Sequence, residues 1–405
     1  MLDKQIIQRI VESSMAVERE VISIRREIHR HPELSYQEKR TSELVSSKLR
    51  SLGLEVRTGV GGTGVVGLLR GKGEGKVVGL RADMDALPVS EMTDLPFKSE
   101  VPGVMHACGH DAHTAILLGV AEVLSMNADL LKGSVKFLFQ PAEEDGGRGG
   151  ALPMIEDGAL EDPHVDHVFG LHIVSDCPSG VICYRPGPVM AAPDSFKIIV
   201  KGRGGHGSRP DDTVDPIWIG SQIVSTLYGL RSRVVPQTKP LVISVCSFHS
   251  GTKDNIIPDQ AVLEGTIRTL DEDLRSMVKT KVAEMVNSLC SSMGAQCHVS
   301  FMADAYPVTV NDPIVTEKAA SLLKEAGFKL LEIEPVMGGE DVSRFLQRAP
   351  GTYYFLGTRN ESKGCIYPNH SSKFTIDEDV LKVGVSSLSL LAIQFSSEQT
   401  FDHKS

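Results

Sequence analysis

Apolar and polar positions along the chain switch between two periods, and the switches mark its elements. The first 35 residues are charged throughout with helical spacing and read as helix. A second helix is expected over roughly residues 35–52, ending at Gly53. LEVRTGV, GVVGLLRG and the apolar run KVVGLRADM follow as strands. AILLGVAEVLSMN returns to helical spacing, and VKFLFQ and HVFGLHI are apolar runs of the buried-strand type. This rhythm of strand, loop and helix predicts an α/β domain with a mostly parallel sheet. In such sheets, sites form at the carboxyl ends of strands, where three polar clusters of this chain fall.

From about residue 193 the pattern is self-contained. SFKIIVKGR, LVISVCSFH, AVLEGTIRTL and CHVSFM read as strands, with helices between the first and second and between the third and fourth. The order β-α-β-β-α-β is a ferredoxin-like α+β unit. The α/β pattern resumes after Asp304, so residues 193–304 are expected as a domain inserted into one made of residues 1–192 and 305–405. The final stretch, SSEQTFDHKS, is expected to fray.

Composition narrows the function classes. At 405 residues, with 41% hydrophobic and 23% charged positions, the chain is an ordinary globular type. A net charge of −10 argues against nucleic-acid or anionic-membrane partners. A local arginine still permits a small anionic substrate. There is no apolar signal region, and no window approaches the roughly 18 apolar residues of a membrane span. Seven widely spaced cysteines do not read as a disulfide framework, so a reducing cytoplasm is the expected location.

Several clusters carry chemistry. MHACGHDAH, residues 105–113, packs three histidines and a cysteine. Cys108 and His110, two apart in an extended loop just before a helix, fall on one side and can grip one ion; a buried cysteine beside a satisfied histidine is the plain alternative. His106 and His113 read as supporting or structural. Gln140-Pro141-Ala142-Glu143-Glu144-Asp145 follows an apolar strand. Adjacent side chains of an extended segment point opposite ways, so one carboxylate can bind metal while its neighbour stays free as a base. A solvated acidic turn explains the same residues. His172, taken as a strand end, and His370, in YPNHSSKF, complete a coherent set of soft-to-borderline ligands with Cys108, His110 and Glu144. In the inserted unit, His206 lies in the glycine-rich turn GRGGHGSRP, and Asn255 and Arg268 can hold a carboxylate. Glu340 and Asp341 of MGGED stand at an expected helix start, where capping accounts for acids.

MHACGHDAH, PAEEDGGRGG, GLHI, GRGGHGSRP and YPNHSS, in this order, closely resemble the M20 metallopeptidase family in its amidohydrolase branch, over nearly the whole chain. That branch includes aminoacylases, hippurate and auxin-conjugate hydrolases and some carboxypeptidases. The resemblance implies a di-metal catalytic domain with an inserted lid or dimerisation domain. It implies Cys108, His110, Glu144, His172 and His370 as ligands to two divalent ions (zinc, with manganese or cobalt as substitutes) and Glu143 as general base. It implies His206, Asn255 and Arg268 as substrate contacts, with some lid residues of related dimers reaching the partner's site. The wider family's H-x-D segment has arginine here, in RADMD, and Cys108 is expected to compensate; MGGED departs from the commoner S-E-D form. The implied reaction is hydrolysis of N-acyl amino acids or of C-terminal peptide bonds. The substrate is a small molecule or peptide with a free carboxylate, and the enzyme a homodimer or homotetramer. Two rivals remain at this level: a cysteine hydrolase with Cys108 as nucleophile, and a non-catalytic binding protein on the same scaffold.

Overall fold

A computed structural model describes residues 2–398. It divides the chain into two compact units, one of residues 1–187, 310–334 and 341–405 and one of residues 188–309 and 335–340. The expected fraying of the last residues falls mostly on 399–405, outside the described residues.

The N-terminal helical stretch is two helices, α1 (Lys4–Ala16) and α2 (Glu18–Arg30), meeting at Val17. Helix α3 (Lys39–Ser51) leads into β1 (Glu55–Val60), β2 (Gly64–Arg70) and β3 (Val77–Asp83). Then come α4 (His110–Met126), β4 (Ser134–Gln140), α5 (Ala151–Glu156), β5 (His167–Pro178) and β6 (Val181–Tyr184). The second unit carries β7 (Ala192–Lys201), α6 (Pro216–Arg233), β8 (Leu241–Ser250), β9 (Gln260–Thr269), α7 (Glu272–Ser292) and β10 (Gln296–Phe301). The chain returns through α8 (Pro313–Glu325), β11 (Lys329–Glu332), α9 (Ser343–Leu346), β12 (Gly351–Arg359) and α10 (Leu381–Ser396).

In the first unit eight strands form one sheet in the order β1-β2-β4-β3-β5-β12-β6-β11. The central pairs β4-β3-β5-β12 are all parallel, with Asp83 opposite Gln140 where β3 and β4 end together. Helix α4 is mostly apolar beyond its first turn and buried along nearly its whole length, as a helix packed on several sides must be. A Cβ at Gly119 would meet Val21 at 2.6 Å and Val385 at 2.9 Å, so glycine is what lets α2 and α10 close on α4. The segment Glu378–Ser396 is apolar and long enough for a membrane span by composition alone. Burial of 83% inside the fold explains that composition as a core helix.

The second unit is a four-stranded antiparallel sheet in the order β8-β9-β7-β10, with α6 and α7 closing a core of Phe196, Ile198, Ile223, Leu263 and Val282. Asp215 and Asp271 cap the two helices by accepting backbone N–H bonds.

The cysteines do not read as a disulfide framework in the sequence, yet four of the seven are paired. Cys177–Cys183 links β5 to β6, and Cys290–Cys297 links α7 to β10. The paired residues are six and seven positions apart, a spacing that a search for a long-range framework overlooks. Cys108, Cys246 and Cys365 are free.

Candidate metal centre

The site gathers at the carboxyl ends of the parallel strands of the first unit. Cys108 and His110 do not lie in one extended loop, as their spacing suggested: His110 is the first residue of α4, and Gly109 between them has φ 93°. That left-handed residue, whose Cβ would stand 3.2 Å from Ile173 Cβ, turns both side chains to one side. His172 likewise is not at a strand end but in the middle of the twelve-residue β5. Its Nδ1 lies 2.7 Å from the Ile173 carbonyl, which can only accept, so Nδ1 carries the proton. Nε2 is left as a lone pair, 3.5 Å from Cys108 Sγ. His370 is held in a left-handed turn, φ 69°, by its N–H to the Ala107 carbonyl at 2.7 Å. Its Nε2 stands 3.3 Å from Glu144 Oε1 and His110 Nε2 stands 4.0 Å from the same oxygen.

Among the described residues five groups have donor atoms within 4.8 Å of one another, and three of them consist wholly of the predicted residues: Cys108–His110–His172, Cys108–Glu144–His370, and His110–Glu143–Glu144. Folding brings together all five sequence-predicted ligands and the predicted base, from positions up to 262 residues apart. His110 Nε2 and Glu144 Oε1 are buried without a hydrogen-bond partner, the Glu144–His370 approach being close in distance but not in bonding geometry. Orphaned buried polar atoms are costly unless something binds them. A thiol, three imidazoles and a carboxylate fit a borderline divalent cation such as zinc.

The electrostatics agree. Burial opposes charge on His110, but Asp83, Asp85 and Glu144 outweigh it and raise its pKa to about 10. A proton there answers the same pull for positive charge that a cation would. Burial, with Glu144 and Glu143 beside it, pushes the Cys108 thiol well above its ordinary range. Burial, then the neighbouring His113, pushes His172 well down, so its ring is neutral. Glu144 titrates below its usual range despite burial, because His370 and His110 face it.

Behind these donors stands a layer of which the sequence reading assigned only His106 and His113, as supporting or structural. Asp85 accepts from the Glu144 N–H at 2.9 Å and from Ser35 Oγ at 2.7 Å, and faces His110 Nδ1 at 3.2 Å. Such carboxylate–imidazole contacts fix the ring and its tautomer for ligation. His113 belongs to this layer: Nε2 accepts the Ile173 N–H at 2.8 Å, so Nδ1 donates to Asp83 at 2.5 Å and no lone pair remains for a metal. His106 is buried with neither ring nitrogen hydrogen-bonded, and burial lowers its pKa to about 3. The alternating acids of RADMD were the available signal, since residues two apart at a strand end share a face. Arg81 does not join the donors: buried, it pairs with Asp83 at 2.7 Å and Asp341 at 2.9 Å. Asp341 caps a different helix from the one its position suggested. It accepts the Gly150 and Ala151 N–H groups at the start of α5 and the Gln140 amide, while the helix after it has no side-chain cap.

Within the second unit, His206 and Asn255 are neighbours: Ile256 pairs with His206, and the Gly207 N–H meets the Asn255 carbonyl at 2.9 Å. Both are exposed. Arg268, half-buried on β9, donates to Thr266 Oγ1 at 3.0 Å and has no ion pair among the described residues.

The family model for peptidase family M20/M25/M40 matches residues 79–394. Thermostable carboxypeptidase 1 of Saccharolobus solfataricus is 57% identical over 394 residues, covering 97% of this chain and 100% of the relative. A putative aminohydrolase from methicillin-resistant Staphylococcus aureus superposes with a TM-score of 0.91 at 36% identity, covering 96% and 100% of the two chains. The YXEP protein of Bacillus subtilis, described as a dinuclear metal-binding peptidase from the M20 family, superposes with a TM-score of 0.82 at 35% identity, covering 94% and 98%.

Proposed function

The chain belongs to peptidase family M20/M25/M40, and on that premise we propose that this metal-dependent amidohydrolase acts as a carboxypeptidase on peptide C-termini. The observation that carries the reading is the convergence of Cys108, His110, Glu144, His172 and His370 on two buried atoms without hydrogen bonds. The preference for peptides over N-acyl amino acids rests on the 57% identity to a carboxypeptidase. Cys108 is shared by two donor groups, which supports two ions per subunit, zinc by the donor chemistry. Bound divalent ions supply Lewis acidity and lower the pKa of a coordinated water toward about 7.

The chain's residues do the rest. Glu143 takes a proton from the attacking water and returns it to the leaving amine, which departs as the free C-terminal amino acid. His206 stabilises charge developing on the carbonyl oxygen. Arg268 and Asn255 hold the free α-carboxylate; support for Arg268 comes from its half-buried guanidinium, whose bonded partner among the described residues is a hydroxyl. A cysteine nucleophile is disfavoured, because burial and the neighbouring Glu144 and Glu143 keep the Cys108 thiol protonated, and His172, 3.5 Å away, is a poor base. By resemblance the working form is a homodimer or homotetramer.

The test is a panel of N-blocked dipeptides and N-acetyl and N-benzoyl amino acids, run on chelator-treated enzyme reloaded with zinc, manganese or cobalt. Dipeptides are expected to lead, chelation to abolish turnover and two metal equivalents to restore it. Glu143→Gln is expected to keep its metal and lose at least about 100-fold in kcat. Full activity after chelation, or in that variant, refutes the mechanism; faster N-acyl amino acid cleavage refutes the substrate class.

A further inference from the structure

Ala142, one residue before the base, has φ 53°, in the left-handed region. A residue with a side chain stays there only where its surroundings impose it. The backbone at this point decides where the Glu143 carboxylate goes, so whatever holds Ala142 matters to the reaction. The side chain that meets it comes from far along the chain. Glu38, fully buried at the start of α3, accepts the Ala142 N–H at 2.8 Å on the same oxygen that accepts the Tyr36 N–H at 3.0 Å. Its other oxygen accepts from Thr63 Oγ1.

The turn that carries Glu38 touches the same loop twice more. Tyr36 Oη donates to the Gly149 carbonyl at 2.7 Å, at the far end of the loop. Ser35 Oγ donates at 2.7 Å to Asp85, which in turn accepts the Glu144 N–H. The segment Ser35–Glu38 thus grips the loop before, after and behind Glu143 and Glu144.

We propose that Glu38 is a positioning residue for the general base: its buried carboxylate holds Ala142 in the left-handed conformation that directs Glu143 into the site. The inference rests on the assignment of Glu143 as base. It distinguishes Glu38 from an ordinary buried acid, because its effect must fall on the chemical step. Misplacement of a reacting group by about 1 Å costs on the order of 100-fold in rate. Glutamine keeps an oxygen at the right reach for the Ala142 N–H, whereas aspartate keeps the charge but falls one methylene short.

The experiment measures kcat, KM, bound metal and melting temperature for Glu38→Ala, Glu38→Gln, Glu38→Asp and Glu143→Gln, on the metal-loaded enzyme below all melting transitions. Glu38→Ala is expected to lower kcat by about 10–100-fold with KM within about twofold and metal content unchanged. Glu38→Gln is expected to recover to within a few-fold of the parent. If Glu38→Ala does not fold, the other two decide: Gln faster than Asp supports positioning through the Ala142 N–H, and Asp equal or faster overturns it. A kcat for Glu38→Ala within twofold of the parent, or a loss matched by lost metal, also overturns it. Glu143→Gln keeps the two ideas apart: activity in that variant removes the base itself, whereas a dead Glu143→Gln beside an active Glu38→Ala removes only the positioning role.

Discussion

Replacing Asp85 by alanine removes one carboxylate that serves two ligands at once. Asp85 is 1% exposed and its partners are His110 Nδ1 at 3.2 Å, the Glu144 N–H at 2.9 Å and Ser35 Oγ at 2.7 Å. In Asp85→Ala the Glu144 N–H loses its acceptor in a part-buried place, which costs about 1–3 kcal/mol of stability. His110 also loses the group that fixes its ring and tautomer, and such losses weaken metal affinity about 10–100-fold, or about 1.4–2.7 kcal/mol. Asp85→Asn separates the two effects. Its amide oxygen can still accept the Glu144 N–H, so stability is largely kept. Its NH2 then faces His110 Nδ1 and favours that nitrogen as an acceptor, which leaves the ring proton on Nε2 and blocks the donor. The assay pairs a competitive metal titration with urea unfolding of the chelated protein. Both variants are expected to lose affinity, and only the alanine to lose stability. An Asp85→Asn protein that binds metal as tightly as the parent refutes the tautomer argument.

Other substitutions test separate features. Gly109→Ala places a Cβ 3.2 Å from Ile173 at φ 93° and is expected to cost about 1–3 kcal/mol in urea unfolding; a change under about 0.5 kcal/mol would show that the turn tolerates a side chain. Asp377 accepts from Lys363, Asn360 and Ser179, and although burial works against it, these partners lower its pKa to about 2. Its folded pKa lies below its unfolded one, so its stabilisation is present above about pH 4 and fades as pH falls toward 2. Asp377→Asn is expected to flatten that part of the acid-unfolding curve, and an unchanged curve contradicts the assignment. The cross-links Cys177–Cys183 and Cys290–Cys297 close loops of separation 6 and 7, each worth about 2 kcal/mol in the chain-entropy account. Reductant is expected to lower urea stability accordingly, and Cys177→Ser/Cys290→Ser to be insensitive to it.

The alternation of strand and helix patterns was enough to place an inserted four-stranded unit in a larger α/β domain, because apolar spacing reports which faces are buried. The ligand types were equally legible: cysteine, histidine and glutamate in short clusters have few other reasons to stand together. Secondary structure at the site was less so. His110 reads as loop because the glycine before it breaks the helical pattern, yet Gly109 is the left-handed residue from which α4 starts. His172 reads as a strand end because the apolar run stops there, although pairing with β12 carries β5 on to Pro178.

What the sequence by itself determined is the inventory: the donors, the base and the order of elements that carries them. Tertiary structure alone decided which atoms of those residues are available. His113 and His172 are equivalent as letters. The Ile173 N–H occupies the last lone pair of one, and the Ile173 carbonyl frees Nε2 of the other. Glu38 is an unremarkable acid until folding sets it under the backbone of residue 142, and the alternation in RADMD marks Asp85 without saying that it will lie under the backbone of residue 144. Such partners are joined by hydrogen bonds between segments some 60 to 100 residues apart, and no local pattern names them.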